Sequence, residues 1–437
     1  MESSKPIPNP DSQTGLRALQ AMLRERHPLA ALQVFHDELG DVFRIQLPGF
    51  TPVVLVGPQA ARFVLVEERG ELLWRNEADP VVALLRHGLL VEDGQAHDDL
   101  RRLMNPALHR RMLERYLAEM IQAVDQVTSH WHDGDVVDML VEMRKIALLI
   151  LVGTLFGADF QPELQPLWQP ILDSIRFISP GIWMVWHDAP RPQYRSGLQR
   201  LDDYLYRLIR ERRALGDFRD APDLLGTLIA SGMTDDLIRD QLLTMLIAGH
   251  DTSTALLSWA LFLLGSHPQA YQRAQDEVDA FSFSGQVTIE QLSGLRYLDS
   301  VIREALRLYP PIHLGSRLAA TDLDYQGYRI PAGERVIYSI YLTQRHRGHW
   351  QDPHRFLPER HASGGQKTPY TWLAFGGGPR NCIGAAFGQV EAKLVLATVL
   401  RRFDLQLVER HVRPHMGATL EPHPGVRMRL KLRTPSQ

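Results

Sequence analysis

Residues 375–384 read Phe375-Gly376-Gly377-Gly378-Pro379-Arg380-Asn381-Cys382-Ile383-Gly384, and they hold the only cysteine among 437 residues. Three consecutive glycines and a proline specify an irregular loop whose backbone can approach a flat partner closely. A strongly helical stretch, 385–402, follows at once. The cysteine therefore sits just ahead of a helix N-terminus, where amide donors and the helix dipole favour a thiolate. Arg380, two residues earlier, adds a cation suited to a carboxylate. Taken alone, the loop is compatible with an inert core thiol or with a nucleophile served by one of the 18 histidines. It does not suit a phosphate-binding loop, which wants Lys-Ser or Lys-Thr after the glycines.

The rest of the chain narrows the field. A lone cysteine supplies neither an intrachain disulfide nor the thiolates of a zinc ribbon or iron–sulfur cluster. With 44% hydrophobic residues, 23% charged residues and a net charge of −3, the chain reads as globular, with no nucleic-acid partner. The first ten residues lack the apolar core of a signal peptide or anchor. The most apolar run, 146–156, is far shorter than the roughly 20 residues that span a bilayer. A cytoplasmic protein without a membrane anchor is expected.

Helical periodicity dominates, as in 112–131, 198–215 and 268–281. Strand signals cluster toward the two ends. Segments 42–47 and 52–56 flank Pro48-Gly49, 325–341 contains a Pro331-Ala332-Gly333 turn, and 426–432 alternates strictly. These features predict a mainly α protein with small β-sheets, the sheet joining both ends of the chain. One unit over 1–437 is expected, with 1–15 as a flexible N-terminal segment.

The longest helical candidate starts near Thr234 and runs to Leu264, where Gly265 and Pro268 are expected to stop it. About 30 residues at 1.5 Å each span roughly 45 Å, enough to cross the molecule. Its second half is apolar nearly all round. The exception is Ala248-Gly249-His250-Asp251-Thr252-Ser253-Thr254. A polar cluster halfway along a buried helix is unfavourable unless it is satisfied or used.

The spacing Phe375-x-x-Gly378-x-Arg380-x-Cys382-x-Gly384 resembles the haem-binding loop of the cytochrome P450 family. Four further motifs of that family stand in the same order. They are His97-x-x-x-Arg101, Ala248-Gly249-x-Asp251-Thr252, Glu304-x-x-Arg307 ahead of Tyr309-Pro310-Pro311, and Phe356-x-Pro358-Glu359-Arg360. The resemblance covers roughly residues 40–433. The resemblance implies the P450 fold, with a long central helix over haem b (iron protoporphyrin IX) whose iron is ligated by Cys382. It also implies a monooxygenase that uses O2 and two electrons to hydroxylate or otherwise oxidise a lipophilic small molecule, such as a fatty acid, terpenoid or steroid.

Residue roles follow from the same resemblance. A Cys382 thiolate would push electron density toward the iron and favour O–O cleavage, within a loop shaped by Phe375, Gly376 and Gly384. Asp251 and Thr252 would deliver protons, while Ala248 and Gly249 leave room for oxygen and Gly249 lets the helix distort. His97, Arg101, Arg317 and Arg380 would hold the haem propionates. Glu304, Arg307 and Arg360 would brace the haem loop, with His361 where the family often has an aromatic residue. Leu246, 81–85 and Ile312–Ser316 would line an apolar pocket, with His313 and Ser316 orienting a polar group. Phe177, Ile182, Trp183, Met184 and Trp186 would contribute to a lid. Without a flavin or nicotinamide fingerprint, electrons must come from a separate ferredoxin or flavodoxin with its reductase, docking near Arg102, Arg110, Arg111 and Arg115. Two alternatives are a peroxide-using or non-oxygenating P450, which Asp251–Thr252 disfavours, and a non-catalytic haem carrier or sensor.

Overall fold

The computed structural model describes residues 5–181, 191–216, 223–281, 287–362 and 368–433. Its axis is the helix Asp235–Ser266, 32 residues and therefore about 48 Å long. The Thr234 hydroxyl caps it by accepting the Leu237 N–H, and Asp235 and Asp236 complement the dipole in the first turn. Most of its residues from Ile238 to Leu264 are buried. Helices Met139–Leu151, Arg195–Ala214, Arg296–Leu308 and Ala385–Arg402 pack around it. Gly265 does not stop the helix. It stays helical because a Cβ there would lie 2.7 Å from Met428 Cε, so the glycine permits close approach of the neighbouring sheet.

The sequence expectation of a sheet joining both ends is met by segments 42–56 and 325–341, which share one sheet, but 426–432 enters another. Val42–Arg44, Val53–Leu55, Arg335–Ser339, Leu314–Ala319 and Leu72–Leu73 form a five-stranded sheet in that spatial order. Its one parallel contact sets Val54 opposite Ile337. The alternating segment Arg427–Leu432 instead joins Phe403–Leu407 and Val136–Asp138. Met428 and Leu430 face the main core from it, while Arg427, Arg429 and Lys431 face solvent. The turn between Leu323–Tyr325 and Tyr328–Ile330 falls at Gln326-Gly327, both at positive φ (57° and 84°). That conformation matches the twist of a two-residue hairpin. Pro331-Ala332-Gly333 merely carries the chain on to Arg335–Ser339.

The segment expected to be flexible is structured over residues 5–15. The Lys5 N–H donates to the Gly327 carbonyl at 2.8 Å, and Asp11 caps a helix that begins at Ser12. Residues 1–4 lie outside the described residues. Among those described, no helix is long and apolar enough to cross a membrane.

Candidate active site

Loop 375–384 takes its shape from backbone positions that other residues adopt poorly. Gly376 and Gly378 have φ of +69° and +62°, and a Cβ on Gly378 would collide with the Leu65 carbonyl oxygen. The Cys382 N–H donates to the Phe375 carbonyl at 2.8 Å and closes the loop, while the Phe375 ring packs edge-on against Trp372. Cys382 is a free thiol and is exposed. Surrounding protein pushes the thiol pKa up, whereas the Gly384 amide and the Arg101 guanidinium favour the thiolate. A Cβ on Gly384 would stand 4.0 Å from the sulfur.

Helix Gly94–Met104 is tied to this loop. Arg101 donates to the Asn381 carbonyl at 2.6 Å and to Asn381 Oδ1 at 2.7 Å. Arg380 donates to Asp93 at 2.8 Å and to the Glu92 and Leu90 carbonyls. Burial and the neighbouring Arg317 charge depress Arg380 to about 10. Buried His97 meets Asp98 at 2.7 Å, and burial disfavours its protonation. Arg317 is buried on strand Leu314–Ala319, donating to the Ser316 carbonyl with its guanidinium over Tyr338. Among the described residues Arg317 forms no ion pair, although a buried cation strongly favours a carboxylate partner. The loop and the four expected cations thus surround one region.

The central helix opens at one turn. Ala248 is exposed and Gly249 and Thr252 are half-buried, whereas 242–247, His250, Asp251 and 253–261 are buried. Positions 248, 249 and 252 share a face. Thr252 donates to the Ala248 carbonyl at 2.7 Å. The helix is continuous through Gly249. That glycine is needed because a Cβ would strike Leu151 of the neighbouring helix. Asp251 faces elsewhere: it accepts from Arg144 at 3.0 Å and from Thr419 at 2.8 Å. Arg144 also pairs with Glu421, which burial and the Asp251 charge push up to about 7. The Glu421 side chain retains 20% exposure against 2% for Asp251, so the network leads from the helix toward solvent. Buried His250 faces the Leu246 carbonyl, and burial holds it near 4, hence neutral.

Sequence reasoning missed one buried pair. Ser253 donates to Glu391 Oε2 at 2.6 Å, linking the central helix to Ala385–Arg402. Glu391 lies six residues, or about 9 Å, along that helix from Ala385. Burial pushes the carboxyl up to about 8 from an ordinary 4.5. As pH rises between those values, the unfolded chain releases this proton before the folded chain does, so stability falls, by roughly 5 kcal/mol at most. Glu391→Gln is expected to flatten the pH dependence of the urea midpoint between pH 5 and pH 8. A variant whose curve parallels the parent excludes Glu391 as its source. An isolated Glu in an apolar helical stretch carries no signal that its partner is Ser253.

Behind the loop, Glu304 and Arg307 are fully buried and paired at 2.8 and 2.9 Å. Arg360 reaches Glu304 at 3.0 Å and His361 reaches it at 2.9 Å, so His361 joins the brace. Gln344 extends it, donating to the Leu306 carbonyl and accepting the Leu373 N–H at 2.7 Å, two residues before Phe375.

The expected apolar pocket is less convergent. Leu246, Val82, Leu84 and Leu85 are packed into the main core, while Ile312 is 44% exposed. His313 is buried, and burial holds it near 4. Of the lid residues, 182–186 lie outside the described residues. Arg102, Arg110, Arg111 and Arg115 are exposed, Arg102 pairing with Asp99. A charged surface cleft of about 870 Å³, bordered by Arg273, Glu277, Arg296 and Lys393, contains none of the expected site residues. An exposed thiol, a small-residue turn and a buried arginine, Arg317, without an ion pair among the described residues suit a flat, metal-bearing group with carboxylate substituents.

The chain is similar to known proteins along nearly its whole length. The family model described as Cytochrome P450 matches residues 10–426. The chain is 32% identical to putative cytochrome P450 135B1 of Mycobacterium tuberculosis over 434 residues, 95% of this chain and 89% of that protein. It is also 32% identical to pentalenene oxygenase of Streptomyces avermitilis over 442 residues, 96% of each. Retinoic acid-bound cyanobacterial CYP120A1 superposes with a TM-score of 0.84 at 25% identity, over 99% of this chain and 100% of that one.

Proposed function

The chain belongs to the cytochrome P450 family, and from that premise we propose that it is a haem-thiolate monooxygenase acting on a lipophilic, terpenoid-like molecule. The observation that carries this is the free, exposed Cys382 on a loop fastened by Arg101 to helix Gly94–Met104. Haem b, when bound, supplies activation of O2 and insertion of one oxygen atom into the substrate. Cys382 would ligate its iron, with Phe375, Gly376 and Gly384 shaping the loop around the sulfur. Arg101, Arg317, Arg380 and His97 would hold its carboxylates, Arg101 and Arg317 forming no ion pair among the described residues.

Ala248 and Gly249 would leave space for oxygen beside the central helix. Thr252 Oγ1, which donates to the Ala248 carbonyl, would hold a proton at that opening. Asp251 would take protons from the solvent side, where Arg144 holds it next to Glu421, and Ser253 holds a second buried carboxyl, Glu391. Electrons would come from a separate ferredoxin or flavodoxin with its reductase, meeting the exposed arginines 102, 110, 111 and 115 by charge complementarity. The whole of 1–437 would act as one haem domain in the cytoplasm.

Terpenoid-like substrates are favoured by two relatives, one named for pentalenene and one bound to retinoic acid. Spin-state shifts of the holoprotein across terpenes, retinoids, fatty acids and steroids test that class. With a substrate in hand, Thr252→Ala is expected to leave binding within about twofold but to divert most electrons from product to hydrogen peroxide. Peroxide and product yields per NAD(P)H measure this. Unchanged coupling removes Thr252 from proton delivery.

A further inference from the structure

His36, Asp41 and His346 meet at the surface, on elements that contribute nothing to the haem site. His36 lies in the last turn of helix Leu29–Leu39, Asp41 just before strand Val42–Arg44, and His346 just after helix Ile340–Thr343. Gly40, at φ +88°, turns the chain back so that Asp41 returns toward His36. Asp41 Oδ1 stands 2.9 Å from His36 Nε2 and 3.1 Å from His346 Nε2. One donor atom from each of the three lies within 4.8 Å of the others. Separations near 3 Å are what two ligands of one ion show when each bond is about 2.0–2.2 Å.

The local charge suits a cation. The His36 hydrogen bond holds the Asp41 carboxyl below its ordinary range, and its ion pairs among the described residues are with these two histidines. The Gly348 N–H donates to His346 Nδ1 at 3.0 Å, which needs that nitrogen unprotonated. His36 Nδ1 is buried without a partner, so a second proton on this ring would have nothing to bond. The His36 and His346 side chains are 12% and 20% exposed and Asp41 is 52% exposed, leaving one side open to water.

We propose that His36, Asp41 and His346 bind one divalent transition-metal ion of the zinc class, with water completing its coordination. Two nitrogens and one oxygen favour such ions over magnesium and calcium, which prefer all-oxygen sites, and over soft cuprous ion. Ligation through Nε2 moves the ring proton to Nδ1, which displaces the Gly348 N–H from His346 and puts a buried proton on His36. Affinity is therefore lower than that of closed four-ligand zinc sites. The ion joins residues 305 apart in sequence (Asp41 and His346) and fastens the N-terminal helix pair to the remainder of the fold.

The test uses untagged, haem-loaded full-length protein, stripped by a chelator and titrated calorimetrically with Zn2+ alone. One Zn2+ per chain is expected, with binding at least about tenfold weaker in each of His36→Gln, Asp41→Asn and His346→Gln. Zn2+ should also raise the unfolding midpoint of the parent but not of His346→Gln, since only a native-state site stabilises by mass action. Circular dichroism and haem absorbance establish that each variant is folded. Absence of a saturable site below ~100 µM overturns the proposal. So does parent-like binding by folded His36→Gln and His346→Gln, which assigns the metal to other histidines. If any single variant fails to fold, the zinc-dependent midpoint of the parent still decides, because no shift at saturating Zn2+ refutes the site.

Discussion

A Cys382→Ser protein is expected to lose the red-shifted Soret band of its reduced, carbon-monoxide-bound form and to retain at most about a thousandth of the parent turnover. A thousandfold loss corresponds to about 4 kcal/mol of barrier. The reason is electronic. Serine keeps the side-chain length, and the loop itself is fixed by groups other than the sulfur: positive-φ glycines, the Cys382 N–H to Phe375 bond and the Arg101–Asn381 contacts. What disappears is thiolate donation, which the hydroxyl cannot replace near neutral pH. Cys382 is also the chain's one cysteine, so no second thiol can substitute. The measurement is a reduced carbon-monoxide difference spectrum beside turnover with a surrogate ferredoxin and reductase. A serine variant that kept both the thiolate-type band and turnover would sink the assignment of Cys382 and with it the proposed chemistry.

Arg307→Ala is expected to destabilise the fold by about 3–5 kcal/mol and to leave most of the expressed chain without haem, because it strands Glu304 as a buried carboxylate. Glu304 is fully buried and answered by Arg307, Arg360 and His361, and Arg307 also donates to the carbonyls of Gln344, Pro353 and Arg355. Burial alone would raise the carboxyl. The Arg307 and His361 hydrogen bonds outweigh it and lower Glu304 to about 2 from an ordinary 4.5. A depressed carboxylate stabilises the folded state fully above the unfolded value and loses that contribution as pH falls. The window is therefore from about 4.5 down to about 2, and the amount roughly 3 kcal/mol. Denaturant midpoints at pH 7 and pH 4, with haem content per chain, measure both effects. Glu304→Gln keeps the shape without the charge, so it should lose the acid-dependent part while folding better than Arg307→Ala. If Arg307→Ala keeps full haem content and its pH 7 midpoint, the network does not brace the loop.

The two predictions draw on different levels of the molecule. The cysteine loop could be read locally, because glycines at fixed offsets encode positive φ and close approach within ten residues. The brace was half visible: Glu304 and Arg307 share a helix face, yet His361 and Gln344 enter through folding of segments 37 or more residues away. The direction of Asp251 was not visible at all. Helical spacing places it beside Thr252, but its partners Arg144 and Thr419 stand 107 and 168 residues away. Gly249 and Gly265 show the same limit: in sequence the first reads as a point of helix distortion and the second as a helix stop, and at each a Cβ would meet a side chain of a neighbouring element.

What the sequence determined by itself was local in cause: the mainly helical class, the cap at Thr234, the loop around Cys382 and the polar turn at 248–254. Each rests on propensity, periodicity or fixed spacing, which act over a few residues. Tertiary structure alone decided that the terminal strands enter different sheets and that Glu391 is the partner of Ser253. It also decided that His36, Asp41 and His346 meet. Those outcomes depend on which distant surfaces pack together, and a buried carboxyl or an imidazole has no preferred partner until that packing brings one within about 3 Å.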